Sequence, residues 1–151
     1  MMKKYLLPYM EGAVLSIRIP LGVIFFAHGA QKVLGIFGGK GLSSTIQVFS
    51  EALGIPAFLT VIAAFTEFLG GIAVIFGFLT GLSSLGISIV MLVAIFKIHI
   101  HAGFFMNWFN LSGKEHGIEC NLALLGMALF LLFYGPGKYS LDQLIANKLK
   151  E

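Results

Sequence analysis

Apolar residues in this 151-residue chain gather into four runs, residues 12–34, 57–79, 82–100 and 118–134, separated by short links rich in glycine, proline and charge. Each run is long enough to cross the hydrocarbon core of a bilayer, which takes roughly 20 residues of helix at 1.5 Å rise. In lipid only helices and closed barrels satisfy their own backbone groups, and these runs are too long and continuous for barrel strands. The pattern predicts an all-α integral membrane protein, an antiparallel four-helix bundle with short interfacial helices, forming a single domain over residues 1–151.

The links add detail. Residues 35–41 form a glycine-rich turn, after which Leu42, Ile46, Phe49 and Leu53 fall on one helical face with Ser43, Gln47, Ser50 and Glu51 opposite. Ser44 with Gln47 three residues on fits a capping box, and Gly54 and Pro56 stop the pattern. A short amphipathic helix at the outer interface is expected, either a lid over the bundle mouth or a plain connector. The link at 77–84 is so short that the second and third runs must form an antiparallel hairpin. Phe104, Phe105, Trp108 and Phe109 have the composition of an aromatic interfacial belt. Gly135-Pro136-Gly137 ends the fourth run. Ser140 with Gln143 then predicts the cap of a final amphipathic piece bearing Leu141, Leu144, Ile145 and Leu149, with Lys148 and Lys150 turned to anionic head groups.

Composition agrees: 58% hydrophobic and 11% charged residues leave too little polar surface for a soluble domain of this size. Lys3 and Lys4 ahead of an apolar run resemble a signal peptide. Arg18 and Pro20 inside that run, and the lack of a small-residue cleavage site, predict a retained first helix instead. With both ends on one side, that side holds Lys3, Lys4, Lys138, Lys148 and Lys150 against Lys32, Lys40 and Lys114 on the other, which predicts cytoplasmic termini. Cys120 is the single cysteine, so no internal disulfide, paired-thiol motif or all-cysteine iron–sulfur site can be built from this chain alone. No flavin, haem or iron–sulfur motif is evident.

Chemistry is sought among ionisable residues inside the runs, because each costs about 2.5 to 3.5 kcal/mol at the centre of a lipid-facing helix and should face the bundle interior. Arg18 and Glu67, on antiparallel helices, come within side-chain reach if the spans are aligned end to end. They read either as a buried structural pair, or with Glu67 as a proton-carrying or ligand-binding carboxylate. Arg18, Gly22, Phe25, Gly29 and Lys32 share one helical face. A second group collects at the outer ends of the runs: His28, Gln31 and Lys32, then Lys97, His99 and His101, then Glu115, His116, Glu119, Cys120 and Asn121. On a continuous helix His99 and His101 point about 200° apart, so no metal site is assigned. A pocket for a polar ligand head group fits this mixture of cations, histidines and carboxylate better.

The order Arg18-x-Pro20-x-Gly22, His28-Gly29-x-x-Lys32, Phe37-Gly38-Gly39-x-Gly41, Glu67-x-x-Gly70-Gly71, His99, Gly103-Phe104-Phe105, Gly117-x-Glu119 and Gly135-Pro136-Gly137-x-Tyr139-Ser140-Leu141-Asp142 resembles the DoxX family of small four-helix prokaryotic membrane proteins. The resemblance covers about residues 12 to 142. One branch of that family is a membrane subunit of thiosulfate:quinone oxidoreductase, and mycobacterial relatives are associated with thiol and oxidative stress systems. The resemblance implies a multi-pass protein of the prokaryotic cytoplasmic (inner) membrane. It further implies a membrane oxidoreductase component that binds a quinone in the bundle and is linked to sulfur or thiol redox metabolism. On that reading Arg18, His28, Lys32, Lys97 and His99 bind the quinone and Glu67 and Glu119 move protons. The alternative is a non-enzymatic scaffold or assembly subunit, or a small-molecule carrier. The partners expected are the lipid bilayer and a redox enzyme, with no nucleic acid; homo-oligomerisation stays open.

Overall fold

The computed structural model describes residues 3–150, with side chains described from residue 12 onward, so the charges of Lys3 and Lys4 used for orientation lie outside the described side chains. Regular structure among the described residues is entirely helical: α1 (Lys3–Val33), α2 (Gly41–Leu53), α3 (Ala57–Phe76), α4 (Thr80–Ala94), α5 (Glu119–Tyr134) and α6 (Leu141–Lys148). A π-helical turn, Ile95–His99, and a 3-10 turn, Ile100–Ala102, prolong α4. Three stretches are long and apolar enough to cross a membrane: Gly12–Val33, Ala57–Phe76 and Thr80–Ala102. The chain is therefore a helical membrane protein. The fourth apolar helix, α5, has 16 residues, about 24 Å of helix against roughly 30 Å of hydrocarbon.

The first helix is already formed at Lys3, well before the Gly12 expected from the apolar run, and it continues through Pro8 and Pro20 to Val33. At the other junctions glycine decides. Gly77 takes φ 65° and closes α3, with its N–H bonded to Val74 O, so the second apolar run ends as helix at Phe76 and not at Leu79. Leu79 is itself left-handed at φ 46°, a conformation costly for a branched side chain, and α4 begins immediately after it. The third run thus starts at Thr80, two residues ahead of the expected Leu82. Its α-helical part stops at Ala94.

The amphipathic helix after the glycine turn exists, but Ser44 does not cap it. Gly41, with φ 79°, starts α2 a full turn earlier, leaving Ser44 inside the helix without a capping role. Gly54 at φ 64° closes α2 as the sequence predicts. Ser140 caps α6 as predicted, its Oγ accepting from Gln143 N at 3.2 Å.

Packing is led by α1 against α3, then α4 against α5 and α3, with α2 laid across α3 and α1. Glycines bring α1 and α3 together. A Cβ on Gly22 would lie 2.8 Å from Gly71 O, and one on Gly29 would fall within 3.0 Å of the Glu67 and Phe68 backbone. Leu21, Phe25, Val74, Ile87, Ala128 and Leu131 fill the core between the helices. The molecule has two ends: a lid end, carrying α2 and the 103–118 loop, and a hairpin end, carrying the α3–α4 turn and α6.

Candidate functional site

Glu67 stands on the face of α3 that also carries Thr60, Ala64, Gly71 and Val74, all buried. Gly29 brings α1 so close that Glu67 is level with the last turn of that helix, where Lys32 projects. Lys32 Nζ donates to Glu67 Oε1 at 2.5 Å and also to Oε2. The carboxylate side chain is 4% exposed and the lysine 26%, so the pair is closed on the bundle side and reachable from the other.

The roof over this pair is α2. The Phe49 ring faces the ammonium, with Nζ 5.8 Å from the ring centroid. The turn leading into α2 folds back on α1: Gln31 Nε2 donates to Phe37 O at 2.8 Å, and Gly39 fits against the Gln31 backbone where any Cβ would fall within 3.0 Å. Between turn and roof lies an open hollow of about 280 Å³ bordered by Gln31, Lys32, Lys40, Thr45, Val48 and Phe49. Its lining combines apolar Val48 and Phe49 with the polar side chains of Gln31, Lys32, Lys40 and Thr45. Sequence pattern placed Phe49 on the apolar face of α2, but gave no sign that this face covers Lys32.

Arg18 does not pair with Glu67. End-to-end alignment of the spans put the two at similar depth, whereas the glycine contacts set a register in which Glu67 is level with Gly29. From Arg18 to Gly29 is about 16 Å of helix at 1.5 Å per residue. Arg18 is buried at the hairpin end, where Nη1 donates to Pro136 O and Nη2 to Tyr139 O, both at 2.5 Å. Asp142, to which the sequence assigned no role, holds the same knot. Its two carboxylate oxygens accept from Leu79 N at 2.7 Å and Thr80 N at 2.9 Å, while its own N–H donates to Gly77 O. The only sequence sign of this was an aspartate after a helix-breaking Gly-Pro-Gly.

The other residues assigned from sequence are dispersed over the lid end. His28 is exposed on α1 one turn before Lys32, and Lys97 is exposed within the π-helical turn. His99 Nδ1 donates to His116 O at 2.7 Å, which ties the end of the α4 extension to the loop before α5. Glu119 accepts from Met106 N at 2.9 Å and, with Gly117 N bonded to Phe105 O and Ile118 N bonded to Gly103 O, closes the 103–118 loop on itself. Among the described residues no three His, Cys, Asp or Glu side chains gather as a metal-ligand set.

Comparison with known proteins follows the same lines. The DoxX family model matches residues 13–100, more than half the chain. "Inner membrane protein YqjF" of Escherichia coli (strain K12) is 32% identical over 140 residues, covering 89% of this chain and 93% of that protein. "Putative oxidoreductase CatD" of Bacillus subtilis (strain 168) is 32% identical over 97 residues, 64% of this chain and 67% of that protein. "Uncharacterized membrane protein Rv3486" of Mycobacterium tuberculosis (strain ATCC 25618 / H37Rv) is 28% identical over 144 residues, 90% of this chain and 83% of that protein. No solved structure gives a significant match.

Proposed function

This chain belongs to the DoxX family, and from that premise we propose that it is the membrane component of an oxidoreductase, binding a quinone head group beneath α2. The observation that carries the reading is Lys32. An ammonium has three donors, and two of them serve Glu67, which leaves a third beside the cavity. A volume of about 280 Å³ is at the lower edge of ligand pockets, roughly 300 to 1,000 Å³. It suits a ring whose apolar tail stays in lipid. A relative named as an oxidoreductase agrees with this class of chemistry.

A quinone, when bound, supplies the two-electron, two-proton couple. Lys32 would hold a quinone carbonyl oxygen by hydrogen bonding and is the group that could supply a proton to it. Glu67, accepting from the ammonium on both oxygens, would hold it in place and keep it charged, and a proton spent by Lys32 would be replaced from water at its exposed side. Phe49 and Val48 exclude water from the apolar side of the ring. Electrons come from a partner enzyme or a reduced sulfur compound. On this reading residues 1–151 are one domain of four spans, α5 completing the bundle. The inner membrane as location is supported by the printed name of the Escherichia coli relative, and cytoplasmic termini by the lysine distribution alone.

The test is mass spectrometry of an organic extract of gently solubilised protein, comparing wild type with Lys32→Ala and Glu67→Gln variants whose helicity is intact. A stoichiometric quinone lost from Lys32→Ala supports the reading. Wild-type protein that carries no quinone and fails to protect or shift an added short-chain quinone analogue overturns it. One observation favours the scaffold reading: Phe105, Trp108 and Phe109 are 76%, 71% and 87% exposed on the 103–118 loop. That reading predicts a co-purifying protein lost in Trp108→Ala and retained in Glu67→Gln.

A further inference from the structure

We propose that the hairpin end contains a buried water site built by Thr80, Ser84 and Arg18, separate from the quinone pocket and independent of it. Thr80 and Ser84 are fully buried and Arg18 nearly so. Thr80 Oγ1, Ser84 Oγ and Arg18 Nε each lie buried without a hydrogen-bond partner among the described residues.

Other helical hydroxyls in the chain follow a different rule. Ser88 Oγ, one turn beyond Ser84 on the same helix, donates to Ser84 O at 2.7 Å, and Thr45 Oγ1 donates to Gly41 O at 2.9 Å. That back-bond to the carbonyl four residues earlier is how a helical hydroxyl is satisfied in apolar surroundings. For Thr80 the residue four back is Phe76, which belongs to α3 on the far side of the Gly77 turn. The bond is therefore lost to topology. Ser84 Oγ does not take the Thr80 carbonyl either.

Thr80 and Ser84 stand one turn apart on one face of α4, with Cβ atoms about 5 to 6 Å from each other, a span that one water bridges with two hydrogen bonds. The guanidinium of Arg18 enters the same end. A Cβ on Gly77 would sit 2.6 Å from its Nη1, and Gly77 O accepts from Asp142, whose carboxylate caps Thr80 N. With Nη1 and Nη2 each bonded to a carbonyl, of Pro136 and Tyr139, Nε is the guanidinium nitrogen without a partner among the described residues. Buried waters commonly make about three hydrogen bonds to such leftover groups. Water fits better than an anion, because the Asp142 carboxylate already offsets the guanidinium charge locally. Leu21, Phe25, Val74 and Ile87 close the core beyond, so the site ends there and does not run through to Glu67.

Two experiments test this. A structure of the wild-type protein at a resolution that shows ordered water should place density within hydrogen-bond distance of Thr80 Oγ1 and Ser84 Oγ. Apolar groups packed directly on both oxygens overturn the proposal. A double-mutant cycle on Thr80→Val and Ser84→Ala reads the same site through thermal unfolding. Each single change should lower Tm by about 2 to 4 °C. The double variant should fall no further than the worse single, since the shared water leaves once. Singles at or above the wild-type Tm overturn the proposal, because deleting a merely orphaned hydroxyl is favourable. Strictly additive losses overturn the shared water. A Tm that drops when chloride is replaced by gluconate overturns water in favour of a bound anion.

Discussion

The pairing of Glu67 with Lys32 sets what single substitutions do. Removing one partner of a buried pair strands the other charge, at a cost of about 3 to 5 kcal/mol, whereas replacing both with apolar or neutral groups removes much of that cost. Lys32→Met should therefore lower thermal stability clearly, and the Lys32→Met, Glu67→Gln double variant should recover part of the loss. A differential scanning measurement in one detergent checks it; a double variant less stable than Lys32→Met would sink the pairing. Arg18 works by geometry more than by charge. Its fork reaches two carbonyls at once, and a lysine ammonium at the end of a differently shaped stem cannot replace both bonds. Arg18→Lys should cost about 1.5 to 3 kcal/mol, the range for a hydrogen bond to a charged group, read as a lowered unfolding midpoint.

Two elements depend on single backbone positions. The α1–α3 contact exists because Gly22, Gly29 and Gly71 bring backbone against backbone. Gly71→Ala would press a Cβ into Phe26 N, so the helices must separate and the Lys32–Glu67 register slips with them. Gly126→Ala on α5 meets nothing within 4 Å and should be neutral or stabilising by up to about 1 kcal/mol. Unfolding of the two variants side by side separates the close-approach role from helix propensity. At the hairpin, Asp142 supplies from far along the chain the cap that no local residue gives α4. Asp142→Ala should cost about 0.5 to 2 kcal/mol, the range of a lost N-cap, and should expose α6 to proteolysis before the rest of the chain unfolds. Equal protease resistance of variant and wild type would show that α6 is held by other contacts.

Across the whole molecule, Cys120 is a ready-made reporter: it is the sole cysteine, exposed in the first turn of α5 at the lid end. If the termini are cytoplasmic, a membrane-impermeant maleimide added to intact spheroplasts labels Cys120. A Lys148→Cys change in a Cys120→Ser background is then labelled only after lysis. The reverse pattern would invert the topology and place the Lys32–Glu67 mouth on the cytoplasmic side.

The helical class, three of the membrane spans and some helix ends were legible in the sequence because they depend on local quantities. Apolar run length is set by bilayer thickness, and the stop at Gly54 is set by φ, whereas the one at Gly77 fell inside an apolar run read through to Leu79. The cap of α6 by Ser140 was likewise local. Lys32 and Glu67 could each be singled out as costly charges within apolar helices, but not as partners. Partnership needed the register of α1 against α3, which glycine-on-backbone contacts fix to within a turn and which span ends alone misplace. The same holds for Phe49 over Lys32, for Arg18 on the carbonyls after α5, and for Asp142 on α4. Each joins residues distant along the chain, and their relative depth is decided by packing, not by pattern.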